Sequence, residues 1–84
     1  MVYLIHFDKK LHHAQHYLGY TKDLPSRIKK HRHNLGARLL QVLNQKNIAW
    51  NVVRVWEDGD QNLERHLKNQ KKSRKLCPVC RGKE

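Results

Sequence analysis

Six polar side chains in this sequence are not explained by a hydrophobic core. They are two tyrosines, a lysine, an arginine, a histidine and a carboxylate: Tyr3, Tyr17, Lys22, Arg27, His31 and Glu64. Hydrolysis of a phosphodiester requires a nucleophilic water, a cation against the charge that develops on the phosphate, and a way to stabilise the leaving oxygen. Side chains of these types supply those functions if the chain brings them together.

The carboxylate and the cations have complementary roles in such chemistry. Glu64 offers a single carboxylate, which together with several waters suits Mg²⁺. Arg27 can bind two phosphate oxygens at once, and Lys22 and Lys30 can add point charges. A tyrosine could transfer a proton, but a free phenol has a pKa of about 10, so a metal or an adjacent cation would have to lower it.

Each of these residues also has a purely structural interpretation. The two tyrosines could be ordinary cross-strand aromatic residues of a half-buried sheet. Glu64 lies four residues before Lys68, the spacing of an exposed helical ion pair. Arg27 could lie over apolar surface, and His31 could be a solvated helix residue.

Composition indicates one small basic domain with a polyanionic partner. The 84 residues include 18 Lys and Arg against seven Asp and Glu, for a formal net charge of +11. Such a surface repels itself, and nucleic acid would neutralise it, with release of condensed counterions. No apolar run is long enough to span a bilayer and no signal peptide opens the sequence. We therefore expect an intracellular, cytoplasmic protein that associates with DNA and not with a membrane.

The N-terminal residues predict a β-hairpin that would carry both tyrosines. VYLIHF (residues 2–7) is rich in strand-forming residues, DKKLHHAQ (8–15) is polar and is predicted to be the hairpin loop, and HYLGYT (16–21) is the second strand. A register that pairs Tyr3 with Gly19 and Ile5 with Tyr17 places both phenols on one face. Gly19 would leave an opening beside them.

A helix should follow this hairpin and carry two more residues of the set. Asp23 is a good N-cap for a helix beginning at Leu24. Leu24, Ile28 and Leu35 would form its narrow apolar stripe. The arginine and the histidine of the set lie four residues apart along one edge of that stripe, where the helix should meet the sheet.

The rest of the chain completes an α+β pattern. ARLLQVLNQK (37–46) predicts a second helix, AWNVVRVWE (49–57) a third strand covered on both faces, and QNLERHLKNQ (61–70) a third helix capped by Asp58 or Asp60. The prediction is a small three-stranded, at least partly antiparallel sheet packed with about three helices. Residues 1–70 would form the domain, and residues 71–84 a basic C-terminal tail.

The tail contains a cysteine pair with metal-ligand spacing. Cys77-Pro78-Val79-Cys80 is half of a zinc-knuckle pattern, and tetrahedral zinc needs four ligands. A second chain or a histidine such as His66 would have to supply the rest, so we do not expect one chain to complete a zinc site. Reduced thiols in a reducing compartment are the alternative.

Taken in order, these residues resemble the GIY-YIG nuclease superfamily. Its first motif corresponds to Met1-Val2-Tyr3 and its second to Tyr17-Leu18-Gly19, followed by Arg27, by His31 one turn later and by Glu64 on the third helix. The resemblance covers residues 1 to about 70. It implies an endonuclease that hydrolyses DNA with a single Mg²⁺ or Mn²⁺ held by Glu64, while Arg27 steadies the phosphate. Tyr3, Tyr17 and His31 would share the orientation of water and the transfer of protons.

Two other functions remain open at this level. Met1 stands where the family's first motif has a glycine, and this departure favours a catalytically inactive nucleic-acid-binding module of the same fold. A zinc-stabilised protein-interaction module, in which the tail is the functional part, is the third hypothesis.

Overall fold

The fold is a three-stranded antiparallel sheet with helices packed against it. The computed structural model describes residues 1–11, 14–71 and 73–81. The strands are β1 (Val2–Leu11), β2 (Ala14–Tyr20) and β3 (Trp50–Trp56), in the spatial order β2-β1-β3. The helices are α1 (Leu24–Arg32), α2 (Arg38–Gln45), α3 (Gln61–Gln70), α4 (Ser73–Leu76) and α5 (Pro78–Arg81). The predicted α+β architecture is confirmed, and both strand pairings are antiparallel.

The register of the hairpin is the predicted one, but its length is not. Tyr3 pairs with Gly19 and Ile5 with Tyr17. The predicted loop over residues 8–15 is wrong, because β1 continues to Leu11 and β2 begins at Ala14. Residues 8–10 are exposed, so this part of β1 is extended without burying its side chains, and only Leu11 at its end enters the core. A polar stretch of this kind cannot be distinguished from a loop by its hydrophobic pattern. The turn itself, at residues 12–13, lies outside the described residues.

β1 is the central strand and is buried on both faces. Its odd-numbered residues join the first core cluster, whose buried members are Tyr3, Ile5, Phe7, Leu11, Leu40, Leu43 and Trp50. Its even-numbered residues join the second cluster, whose buried members are Val2, Leu4, Leu18, Leu67, Cys77 and Cys80. The first cluster lies under α1 and α2, and the second under α3 and the C-terminal residues. A small domain has few apolar residues, and this arrangement uses both sides of one strand.

α1 begins at the predicted residue, Leu24, but ends at Arg32, before the last residue of the predicted apolar stripe. The Asp23 side chain accepts a hydrogen bond from the Ser26 backbone N–H at 3.2 Å. Leu24 and Ile28 pack against the first core cluster. Leu35 does not: its side chain is 74% exposed. The chain leaves the helix after Arg32 and turns at Asn34, whose φ of 62° is left-handed, before a third turn of the stripe could form.

The third strand and third helix match their predictions. Val52 packs against the first core cluster, and Val53 and Trp56 pack against the second, so β3 is covered on both faces. The pleat of the strand points the adjacent Val52 and Val53 to opposite faces. Val53 is the extra residue of a register shift, because Ile5 pairs with Val52 and Leu4 with Arg54. Asp60 caps α3. In the described part of the chain, no helix combines the length and apolar character needed to cross a bilayer.

Candidate active site and a histidine–cysteine cluster

Three aromatic rings meet on the odd-numbered face of the sheet. The ring centroids of Tyr3 and Tyr17 are 6.1 Å apart, and the His31 ring lies 6.0 Å from Tyr3 and 5.9 Å from Tyr17. The Tyr3 hydroxyl is 2.9 Å from His31 Nε2, in hydrogen-bonding distance. Both residues are 1% exposed. His31 is therefore not a solvated helix residue, since β1, β2 and α1 bring it together with both phenols.

Two glycines make room for these rings. A Cβ atom on Gly19 would lie 2.4 Å from Tyr3 Cζ and 2.9 Å from Tyr17 Cε1. The opening expected beside Gly19 is thus filled by the Tyr3 ring. A Cβ atom on Gly36 would lie only 2.0 Å from His31 Nδ1. Nothing local to Gly36 in the sequence indicates that it packs against His31.

Burial determines the protonation of the three rings. It raises the pKa of Tyr3 and that of Tyr17 above the ordinary phenol value, and the neighbouring Tyr17 raises that of Tyr3 further. Burial also lowers the pKa of His31, and the Arg27 charge lowers it further. At neutral pH both phenols therefore carry their protons and the imidazole is neutral.

The charges of two residues from different helices, Arg27 and Glu64, shift the pKa values of both tyrosines in opposite directions. The Arg27 guanidinium lowers the pKa of both tyrosines and the Glu64 carboxylate raises it, although burial outweighs both effects. Arg27 lies in α1 and Glu64 in the first turn of α3. The Glu64 carboxylate is also 3.8 Å from Lys68 Nζ, at i,i+4, with its side chain 23% exposed. The ion-pair interpretation of Glu64 therefore describes a real contact, which coexists with its proximity to the phenols.

A polar cleft of about 420 Å³ lies beside this group. Its lining includes all three residues that the sequence assigned to phosphate: Lys22, Arg27 and Lys30. The remaining lining residues are Tyr20, Thr21, Asp23, Ser26 and Gln61. Arg27 is therefore shared between the cleft and the tyrosines, and Gln61 lies one helical turn before Glu64. The cleft offers three cations against one carboxylate, which suits an anionic ligand.

Cys77 and Cys80 lie on the opposite face, next to two histidines. His6 and His16 are paired across β1 and β2, with ring centroids 5.2 Å apart. One ligand atom from each of the four residues lies within 4.8 Å of the other three, so this group could hold a metal ion. The expectation that one chain could not supply four ligands is wrong. The suggested His66 is exposed and contacts Gln70 instead.

The sequence did contain a signal for this cluster. The predicted register pairs Tyr3 with Gly19 and Ile5 with Tyr17, and its next step pairs His6 with His16. Residues directly opposite each other on antiparallel strands have Cβ atoms about 5 Å apart. The approach of the two cysteines to this pair is a tertiary contact that no local pattern indicates.

Comparison with known proteins agrees with this arrangement. The fold is a small α+β domain. The chain belongs to the GIY-YIG family, since the GIY-YIG catalytic domain matches residues 1–76, nearly the whole chain. Searches of curated proteins and of solved structures gave no match. Family membership assigns the chain to a class of nucleases that act on nucleic acid.

Proposed function

We propose that this protein is a metal-dependent endonuclease that hydrolyses DNA phosphodiester bonds with a single divalent cation. One observation carries the proposal: Tyr3, Tyr17 and His31 pack with ring centroids 5.9–6.1 Å apart, and the helix that carries His31 also contributes Arg27 to a basic cleft. Membership of a nuclease family supports it. The formal net charge of +11 supports a nucleic-acid partner.

Glu64 would hold the metal, Mg²⁺ or Mn²⁺. Its side chain is partly exposed, so a bound ion would keep access to several waters. One carboxylate with water ligands is a donor set that Mg²⁺ favours, because this ion gives up its hydration shell reluctantly. When bound, the cation would supply Lewis-acid stabilisation of phosphate charge and a lower pKa for nearby water.

The cations of the cleft would bind the substrate backbone. Arg27 presents a planar fork that matches two phosphate oxygens, and it lies between the cleft and the phenols. We assign it to the scissile phosphate. Lys22 and Lys30 line the same cleft and are exposed, so they would bind phosphates as flexible point charges.

The environment of His31 favours one tautomer and so one proton path. His31 Nδ1 is buried, has no hydrogen-bond partner among the described residues and faces the Gly36 backbone. A buried N–H without an acceptor is rarer in proteins than an underused acceptor. We therefore place the hydrogen on Nε2, where it is donated to the Tyr3 oxygen at 2.9 Å. With Nε2–H donated to Tyr3, the Tyr3 hydroxyl hydrogen is available to Tyr17. Burial raises the pKa of Tyr17, but the hydrogen bond from Tyr3 and the Arg27 charge lower it, so Tyr17 is the proposed base.

The test is nicking of supercoiled plasmid by the full chain in Mg²⁺ or Mn²⁺. A cruciform plasmid and a branched oligonucleotide widen the range of substrates. Glu64→Gln should retain DNA binding and lose cutting, because it removes the metal-binding charge at nearly constant shape. Lys68→Ala is the matched control, since it breaks the 3.8 Å ion pair without touching the carboxylate. Cutting by Glu64→Gln at the rate of the unaltered protein would refute the metal assignment.

A catalytically inactive nucleic-acid-binding module is the second candidate. Met1 takes the place of the glycine in the first family motif, and this departure favours it. The Met1 backbone forms ordinary strand contacts, with its carbonyl accepting from the Thr21 N–H at 2.9 Å and its nitrogen donating to the Thr21 carbonyl at 2.7 Å. The same assay distinguishes the two functions. Salt-sensitive binding without cleavage of any substrate in either metal would support this second candidate.

A further inference from the structure

The histidine–cysteine cluster has a geometry that the proposed nuclease chemistry does not require. Cys77 Sγ lies 3.5 Å from His6 Nδ1, and Cys80 Sγ lies 3.7 Å from that nitrogen and 3.4 Å from His16 Nε2. The two histidine nitrogens are 3.4 Å apart. Four potential ligand atoms thus converge on one point.

These separations are those of a tetrahedral zinc site. With Zn–S of about 2.3 Å and Zn–N of about 2.05 Å, tetrahedral angles place two nitrogens about 3.4 Å apart and a nitrogen and a sulfur about 3.6 Å apart. Four of the six pairs in the cluster lie at 3.4–3.7 Å. The other two pairs lie within 4.8 Å. Since two zinc-bound sulfurs are about 3.8 Å apart, at most about 1 Å of closure is needed.

Secondary structure positions the two histidines as one pair and the two cysteines as another, before any metal binds. His6 and His16 are directly opposed in the regular part of the β1–β2 ladder, on the face that carries Val2 and Leu4. α5 begins at Pro78, so Cys77 and Cys80 are separated by one helical turn and point to the same side. The metal would therefore join a preformed strand pair to a preformed turn.

We propose that His6, His16, Cys77 and Cys80 bind one Zn²⁺ as a structural site that holds the C-terminal residues against the sheet. Two imidazoles and two thiolates in a tetrahedron are a zinc set, whereas Mg²⁺ requires oxygen ligands. Four protein ligands leave no open position for substrate or water, so the site is structural. The proposal does not depend on the proposed nuclease activity.

The surroundings are those of a fixed site. Cys77 is fully buried, and His6 and Cys80 are each 7% exposed. The cysteines lie in the second core cluster with Leu18 and Leu67. Arg54 Nη1 donates to the Leu76 carbonyl at 3.2 Å, which holds the backbone next to Cys77. In small domains the free energy of metal binding adds to the free energy of folding. Zinc at this site would therefore stabilise a domain whose core has few apolar residues.

The experiment is metal analysis of the full chain, purified without chelator under reducing conditions. We expect one zinc per chain by elemental mass spectrometry after dialysis. Exchange with Co²⁺ should give the visible bands of a tetrahedral site and a thiolate charge-transfer band. Zinc-loaded protein should also unfold at a higher temperature than chelator-treated protein. A chain that takes up no zinc from an equimolar solution, with both thiols reduced, would overturn the proposal.

Variants identify the ligands. Cys80→Ser and His16→Ala should each lower zinc affinity by at least about tenfold, since even indirect partners of zinc ligands have effects of that size. His66→Ala is the matched control and should retain full zinc, because His66 is an exposed histidine outside the cluster. Glu64→Gln should also retain it, which separates this site from the proposed catalytic metal. Full zinc affinity in His16→Ala would exclude the four-ligand site even if the cysteines bind metal.

Discussion

At the level of single residues, the proposed active site depends on two glycines as well as on its polar side chains. Tyr3 and His31 are almost fully buried and 2.9 Å apart. Each also lies against a glycine, Tyr3 against Gly19 and His31 against Gly36. Neither glycine has a positive φ, so the requirement at both positions is space and not backbone conformation. A single methyl group at either position would collide with a ring.

Gly36→Ala should therefore impair the proposed active site, although Gly36 is not one of its catalytic residues. The new Cβ would lie 2.0 Å from His31 Nδ1, so the ring must move and its contact with Tyr3 must lengthen. We expect the free energy of unfolding to fall by about 1–3 kcal/mol, as in other overpacked cores. The cutting rate should fall by about a hundredfold or more, because general acid–base assistance is lost. Urea unfolding and plasmid nicking measure the two effects.

The neighbouring Ala37→Gly provides the control for this change. Ala37 is the N-cap of α2 and forms no side-chain cap hydrogen bond, and glycine is accepted at such positions. It should leave stability within about 0.5 kcal/mol and cutting unchanged. Equal cutting by Gly36→Ala and the unaltered protein would contradict the role assigned to the His31 position.

At the level of elements, the start of two helices determines where the charged residues lie. Asp23 caps α1, the helix that carries Arg27, and Asp60 caps α3, in whose first turn Glu64 lies. Asp60 accepts a hydrogen bond from the Leu63 backbone N–H at 2.8 Å. A helix that begins one residue later would turn its side chains by about 100°. Capping therefore positions the carboxylate as well as stabilising the helix.

Asp60→Ala should weaken both the fold and the proposed metal site. Loss of the cap should lower the free energy of unfolding by about 1 kcal/mol, and fraying of the first turn should raise the Mg²⁺ concentration needed for half-maximal cutting. Asp60→Asn should retain most of the stability, since asparagine caps helices about as well as aspartate does. Urea unfolding and a Mg²⁺ titration of nicking provide the readouts. If alanine and asparagine behave alike, the cap does not position Glu64.

At the level of the whole molecule, the sheet separates two proposed sites. Its odd-numbered face carries the phenols, His31 and the first core cluster, and its even-numbered face carries the second cluster and the proposed zinc ligands. The net charge of +11 surrounds both. Three of the cations line one cleft. The positive charge of the whole molecule should attract polyanions, and the cleft is where they are expected to bind.

Binding to DNA should depend on salt through the cleft cations in particular. A Lys22→Ala, Lys30→Ala double variant removes two exposed cations of the cleft. If both contact phosphates, the slope of log affinity against log salt should become shallower by about 1.8, or about 0.9 per contact. A fluorescence anisotropy titration at several salt concentrations measures this slope.

The matched control removes the same charge elsewhere. Lys10→Ala with Lys46→Ala takes two exposed lysines from the hairpin end and the end of α2, outside the cleft lining. Its salt slope should remain close to that of the unaltered protein. An equal change in both double variants would mean that DNA binding follows total charge and not the cleft.

Local patterns in the sequence were sufficient to predict most elements and to select the residues of the proposed active site. Strand alternation predicted the register that joins Tyr3 and Tyr17, and the helix caps and spacing predicted α1 with Arg27 and His31 on one side. These features depend on neighbours along the chain or directly across a hairpin, so a linear pattern records them. The same register already paired His6 with His16.

Tertiary structure decided the contacts between residues far apart in the sequence. The exposure of Leu35, the packing of Gly36 on His31 and the approach of Cys77 and Cys80 to the histidine pair depend on how finished elements dock. Docking is governed by shape and burial across the whole domain, which residue types and spacing do not encode locally. The sequence alone therefore determined which chemical groups this protein has, and packing determined that they form one phenol–imidazole site and one separate four-ligand cluster.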